Sequence, residues 1–323
     1  MASVRVEALV VGAGVCGLTT AIRLAEAGMA VTIIATEPPE ATTSAAAGAM
    51  WGPYLAEPRD RVSAWSRATL TELTHAASEP GSGVRLVSGT EASRTAQEPP
   101  GWARLLPGFR PCTPAELPPG FVTGWRYTAP IVDMPTYLRY LLARFEALDG
   151  KFVAGAVTSL QACLRVAPVV VNCAGMGAAD LVPDDTLVGV RGQLVVVADP
   201  GITEFFSEDT GLSPDLLYIY PQGNSVVLGG TAEPGVTTRT PDVEAARRIL
   251  ARCSEIEPRL ADAEILEHRV GIRPSRPQIR VEEQRTQVGR LLHNYGHGGA
   301  GISLSWGCAD ELVATIGAGP TTA

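Results

Sequence analysis

Val10-Val11-Gly12-Ala13-Gly14-Val15-Cys16-Gly17-Leu18 is the stretch on which the fold turns. Residues 4–11 before it form a near-continuous apolar run, the pattern of a strand buried in a parallel sheet. After it, Leu18, Ala21, Ile22 and Ala25 recur at helical spacing, and Gly28 stands where a helix ends on a left-handed residue. Residues 30–35 then read as a second, β-branched strand. Glycines spaced G-x-G-x-x-G between strand and helix have a mechanical reading. The first makes the tight turn, the second lets backbone approach a pyrophosphate, and the third lets the helix pack on the strand. The anion then rests on the helix N-terminus. A glycine turn packed for its own sake is the competing reading, and the complete strand–turn–helix–strand context weighs against it.

A ribose-binding acid belongs at the end of the second strand. Ala35-Thr36-Glu37 places the carboxylate one residue beyond the strand end, so Thr36 and Glu37 are both candidates, against a solvated loop glutamate. A second mononucleotide half, usual in NAD enzymes, does not follow; proline-rich loops do. Thr42, Thr43 and Ser44, then Ala47, Gly48, Ala49 and Met50, are small or slender residues lying where a flavin could be threaded.

Composition bounds the rest. The chain has 323 residues, 46% of them hydrophobic, enough to bury a large core. A net charge of −8 without a basic cluster disfavours nucleic acid. No apolar run is long enough to span a bilayer, and no secretory leader or peroxisomal ending is expected. Six cysteines lack metal-ligand or C-x-x-C spacing and read as buried thiols in a reducing cytoplasm. Four histidines without H-E-x-x-H give a catalytic metal no support.

Between the ends, residues 79–120 read as a loop-rich region holding most of the proline clusters. Pro135 opens a helix whose Tyr137, Leu138, Leu141, Leu142 and Phe145 share a face. Residues 166–173 read as a buried strand. Residues 189–197, 216–220 and 225–230 read as an antiparallel sheet, and residues 241–257 as a helix. The chain closes on a strand (291–294), a glycine loop (296–301) and a helix (304–316).

His293-Asn294-Tyr295-Gly296-His297-Gly298-Gly299-Ala300-Gly301, with Trp306-Gly307-Cys308-Ala309 downstream, supplies a second set of N–H donors at a helix start. With this stretch the sequence resembles the D-amino acid oxidase family. The resemblance extends through Val171-Asn172-Cys173-Ala174-Gly175, Arg191-Gly192-Gln193, Tyr218-Ile219-Tyr220-Pro221, Leu228-Gly229-Gly230 and Gly271-Ile272-Arg273-Pro274. It implies an α/β fold: a discontinuous Rossmann-type FAD-binding domain (1–56, 136–182 and 262–323) and a second, mixed-sheet substrate-binding domain (57–135 and 183–261). It implies non-covalent FAD, oxidation of a D-amino acid to an imino acid that hydrolyses to a 2-oxo acid and ammonia, and reduction of O2 to hydrogen peroxide. A homodimer stays open.

By position, Arg273 matches the arginine gripping the substrate carboxylate, Tyr218 the tyrosine bonding the same group, and Gly299 the residue whose carbonyl accepts from the amine. Gly298, Gly299, Ala300, Gly301, Ile302 and Ser303 match the flavin loop, beside Gly12, Ala13, Gly14, Val15 and Cys16 of the first turn. The sequence departs from the pattern at the displaced strand-end acid and at Pro214, where some members carry a second tyrosine. Gly52 and Tyr220 lie where side-chain preference is usually set. Arginine suits a carboxylate because its planar fork binds it bidentately. No Asp, Glu or His stands out as a general base, which agrees with direct hydride transfer from Cα to flavin N5; His293 and His297 read as loop-shaping groups and Arg276 as structural. Rival readings are a flavin amine oxidase acting on glycine, sarcosine or D-aspartate, a flavin-binding protein without turnover, and an NAD dehydrogenase.

Overall fold

A computed structural model describes residues 7–208 and 215–318, and in it Gly12 takes φ +107°, the left-handed turn its position demands. Residues 4–6 and Pro214 lie outside the described residues. The strands are β1 (Glu7–Val11), β2 (Ala30–Ala35), β3 (Val84–Ser93), β4 (Arg110–Pro111), β5 (Thr123–Val132), β6 (Lys151–Ala154), β7 (Val169–Asn172), β8 (Val188–Ala198), β9 (Phe205–Glu208), β10 (Tyr218–Pro221), β11 (Ser225–Gly229), β12 (Glu233–Pro234), β13 (Ile265–Gln284) and β14 (Arg290–His297). The helices are α1 (Val15–Glu26), α2 (Arg59–Ala76), α3 (Met134–Glu146), α4 (Leu160–Leu164), α5 (Ala178–Leu181), α6 (Val243–Ile256) and α7 (Gly301–Gly317).

One continuous mixed sheet runs β4-β5-β3-β9-β10-β11-β8-β13-β14-β7-β1-β2-β6. Its β14-β7-β1-β2-β6 end is parallel throughout, the Rossmann half. Alternate residues there face two cores. Val10, Ile33, Val171 and Leu292 meet α1 and α7, while Leu9, Val11, Val170 and Leu291 meet Leu160 and Leu164 of α4. From β5 through β3, β9, β10 and β11 to β8, every pair is antiparallel except β3 with β9. One face of this half is covered by α6, whose Ala246, Ile249 and Cys253 pack on Val195, Val197, Ile219 and Leu228. Its other face is left to the cavity described below. No helix of the described residues is long and apolar enough to cross a membrane.

The 20-residue β13 joins the halves: it pairs with β8 up to Ser275 and with β14 from Ser275 onward, with a register shift between Ser275 and Arg280. That shift sits at Pro277, which has no N–H to give the ladder. The region expected as loops, 79–120, contains the ten-residue β3, whose Gly89 and polar Ser88, Thr90 and Glu91 hide the strand pattern. Helix α2 has a spaced apolar stripe of Val62, Trp65, Leu73 and Ala76 and packs against α7.

The α2–α7 crossing is tight at Gly307, where a Cβ would lie 2.2 Å from Trp65 Cα, and its N–H donates to Thr69 Oγ1 at 3.1 Å. Gly307→Ala should therefore cost about 2 kcal/mol or more, the scale of overpacking against backbone. A urea unfolding midpoint equal to wild type would contradict this crossing.

Candidate active site

Two helices begin side by side. Gly14 caps α1 with no side chain, and no acidic residue occupies the first turn. Ser44 Oγ accepts from the Val15 N–H at 3.0 Å, tying the loop after β2 to that helix start. Ala300 caps α7, also with no side-chain cap and no acid in the first turn. A Cβ on Gly301 would stand 3.8 Å from Val15 Cγ1 and 3.9 Å from Cys16 Sγ, so the two starts touch. Both positive helix ends thus border one space. Gly17 makes this geometry possible, since a Cβ there would lie 2.0 Å from Gly12 O.

That space is a cavity of about 1380 Å³. It exceeds the roughly 300–1,000 Å³ of ordinary small-molecule pockets, and suits a dinucleotide with a small substrate beside it. Its wall includes every cofactor residue expected from the sequence except Ala300 and Ser303. Ala300 is buried at the α7 cap, and the Ser303 hydroxyl bridges the backbone of Gly52, accepting at 3.0 Å and donating at 2.9 Å. At the β2 end, Thr36 is exposed and Glu37 is ion-paired with Arg239 at 2.9 Å. Arg239, Gly155 and Val157 also line this end and carried no sequence signal, since they come from distant, motif-free segments.

At the other end Arg273 projects from β13, half-buried. Its guanidinium lies over Gly192 of β8, where a Cβ would stand 2.4 Å from Cζ, Nη1 and Nη2 alike. Nη1 donates to the Thr231 carbonyl at 3.0 Å. Among the described residues no carboxylate is within ion-pair reach of it. Tyr218 lies over Gly229, where a Cβ would be 1.7 Å from Cζ, and stacks on Tyr220 with centroids 4.6 Å apart. Its hydroxyl makes no hydrogen bond among the described residues. Burial raises the Tyr218 pKa and Arg273 opposes that shift, so the phenol is a neutral donor at ordinary pH. Gly299 sits against Arg273, a Cβ there being 3.9 Å from Cδ. The three residues expected at the substrate therefore border one end of the cavity together. Gly192 and Thr231, which set the arginine, were not singled out from sequence; Gly192 stood inside a quoted motif without a role.

The two histidines of the 293–297 stretch and Cys16 beside the helix starts are buried and uncharged. His293 is buried between Gln284 (2.8 Å) and Asn172 (3.5 Å), and His297 lies 3.6 Å from Cys16 Sγ. Burial lowers both imidazoles from 6.5 to about 4, so they are neutral. Burial likewise pushes the Cys16 thiol up to about 12. Arg276 is tied to Asp184 at 2.8 Å, a structural pair.

Residues 7–315 match the family model described as FAD dependent oxidoreductase. The chain is 46% identical over 314 residues to a D-amino-acid oxidase of Rubrobacter xylanophilus, covering 97% of this chain and 96% of that one. It is 37% identical to a D-aspartate oxidase of Homo sapiens, covering 95% and 93%. Among solved structures, a glycine oxidase from Geobacillus kaustophilus superposes with a TM-score of 0.80 at 20% identity, covering 99% of this chain and 96% of that one.

The neutral histidines make stability depend on pH. As pH falls from about 6.5 towards about 4, the unfolded chain takes up protons that the folded chain refuses, so stability falls across that window. His297→Gln should flatten the slope of unfolding free energy against pH there. An unchanged slope would contradict a buried neutral His297.

Proposed function

The chain belongs to the FAD dependent oxidoreductase family, and from that premise we propose that it oxidises D-amino acids to imino acids, with oxygen as the final acceptor. The observation that carries this reading is Arg273: a half-buried cation with no carboxylate of its own among the described residues, beside a Tyr218 hydroxyl that makes no hydrogen bond among them. Such a pair asks for a ligand carboxylate, since a desolvated charge is costly until it is paired.

In this reading the segments 1–56, 136–182 and 262–323 hold the cofactor, and 57–135 with 183–261 form the substrate side. The Gly12–Cys16 turn would take the pyrophosphate, Thr36 or Glu37 the ribose, and residues 42–50 with 298–303 the flavin. The fit rests on the paired helix starts and on the tight glycine turn between them, where a Cβ at Gly12 would lie 2.4 Å from Cys173 O and one at Gly17 2.0 Å from Gly12 O. Bound FAD supplies a two-electron acceptor that oxygen re-oxidises.

The chain's own residues do the alignment. Arg273 and Tyr218 take the substrate carboxylate, and the Gly299 carbonyl accepts from the amine. With two substituents fixed, only one enantiomer can turn its Cα–H towards the acceptor; the likeness to D-amino-acid oxidases assigns the D form. No histidine is poised as a base, so the amine enters unprotonated and catalysis is alignment. A D-aspartate preference would need a second cation for the distal carboxylate. The other arginines of the cavity wall already face acids: Arg59 with Glu57, Arg239 with Glu37 and Arg276 with Asp184.

A peroxide assay across D-amino acids tests this. Arg273→Ala should lower kcat/KM by about 30-fold or more while FAD content stays near wild type, the scale of losing one partner of a desolvated charge pair. Arg273→Lys should recover only part. Tyr218→Phe should cost less, roughly 0.5–1.5 kcal/mol in transition-state binding. Gly192→Ala, which displaces the guanidinium without touching substrate, should raise KM by about tenfold. Wild-type turnover in both Arg273→Ala and Gly192→Ala would put the carboxylate site elsewhere.

A further inference from the structure

The sheet face turned away from the cavity carries a cation that the oxidation does not use. Arg191 of β8 stands between Val190 and Gly192, both of which wall the cavity. Side chains alternate along a strand, so Arg191 points to the opposite face, where it is only 2% exposed. Its guanidinium is taken up largely by one stretch of chain, residues 231–242 between β11 and α6. Nη1 donates to the Glu233 carboxylate at 2.5 Å, and Nε to the Thr238 carbonyl at 3.1 Å. Nη2 donates to the Thr240 carbonyl and to Gln193 Oε1, both at 2.8 Å.

That stretch reaches both ends of the cavity. At one end, Glu233 accepts from the Thr231 hydroxyl at 2.8 Å, and the same hydroxyl accepts from the Gln193 N–H at 3.0 Å. The Thr231 carbonyl accepts from Arg273 Nη1 at 3.0 Å. Arg191, Glu233, Thr231 and Arg273 are thus linked in series. At the other end, Thr238 and Thr240 flank Arg239, so a grip on both carbonyls fixes the residue between them. Arg239 walls the cavity and meets Glu37, from beyond the end of β2, at 2.9 Å. That pair is half-exposed, and such a pair contributes little unless its geometry is held. Gln193 pins the end of the stretch, its amide bonding the Asp242 N–H and carbonyl at 2.7 Å each.

We propose that Arg191 is a positioning residue for both ends of the cavity. The inference rests on the oxidase reading of the cavity. Through Glu233 and Thr231 it sets the guanidinium of Arg273, where that reading puts the substrate carboxylate. Through the Thr238 and Thr240 carbonyls it holds Arg239 against Glu37, at the end that reading gives to the cofactor's ribose. One buried side chain thereby ties substrate affinity to cofactor retention while facing away from both ligands. The fork is essential to this role: a rigid, planar guanidinium holds a carboxylate and two carbonyls in fixed directions, and an ammonium does not.

The test reads KM for D-alanine at saturating FAD, and the Kd for FAD from flavin fluorescence as the holoenzyme is diluted. Arg191→Lys keeps the charge and loses the fork. It should raise KM by about fivefold or more and the FAD Kd by about threefold or more, with kcat falling less than KM rises. Thr231→Val cuts the tie to Glu233 and keeps the carbonyl on Arg273; it should raise KM by about threefold, more than it raises the Kd. Arg239→Gln should raise the Kd by about threefold, more than it raises KM. A lower melting temperature in Arg191→Lys with wild-type KM and Kd means a structural arginine and overturns the proposal. Should Arg191→Lys fail to fold, the other two variants decide, and either one at wild-type values overturns it. Wild-type turnover beside unmoved variants sinks this inference alone. A wild type that oxidises no D-amino acid, D-alanine included, sinks it together with the oxidase reading.

Discussion

The structure is organised around a cation without an anion among the described residues. Arg273 is half-buried, bonded to the Thr231 carbonyl and to no carboxylate among the described residues. A charge in that position is stabilised by any carboxylate that enters the cavity. Holding it open to a ligand requires that nothing else fill the space. Gly192 beneath the guanidinium and Gly229 beneath Tyr218 are the two absences that permit it, each a position where a Cβ would collide with the ring or fork above.

The same strand that carries Arg273 carries the fold across its seam. Arg273 pairs with Val190 of β8, and two residues later Ser275 pairs with both Val188 of β8 and His297 of β14. His297 in turn leads into the α7 start, which touches the α1 start. The distance between Arg273 and the paired helix ends is therefore fixed by a few residues of continuous sheet rather than by a hinge between separate bodies. For chemistry that depends on alignment, a rigid path of this kind is what a site needs.

Much of the Rossmann half was legible because each of its parts obeys a local rule. The β1–α1–β2 unit shows its apolar run, its glycine turn and its helical spacing within 30 residues, and Gly28 ends α1 at φ +88° as expected. The antiparallel half was less legible for a physical reason. On β3, Gly89 and Glu91 stand opposite the buried Tyr127 and Trp125 of β5, where a core strand would repeat apolar residues. β13 alternates arginines and prolines with aliphatics and is bulged at its middle, which hides a 20-residue strand. Of the cavity wall, Arg273, Tyr218 and Gly299 were reachable through motifs. The residues that set them, Gly192, Gly229 and Thr231, have no chemistry of their own to announce them. Their role appears only when the sheet register is known.

The most direct measurement is made without oxygen. The purified protein with its flavin is mixed anaerobically with D-methionine or L-methionine, and the visible flavin absorption is followed. Rapid bleaching by the D enantiomer, and none by the L, is the result this account predicts, since a carboxylate on Arg273 and an amine on Gly299 leave one hydrogen facing the acceptor. Bleaching by both enantiomers, or by neither while flavin stays bound, would contradict it.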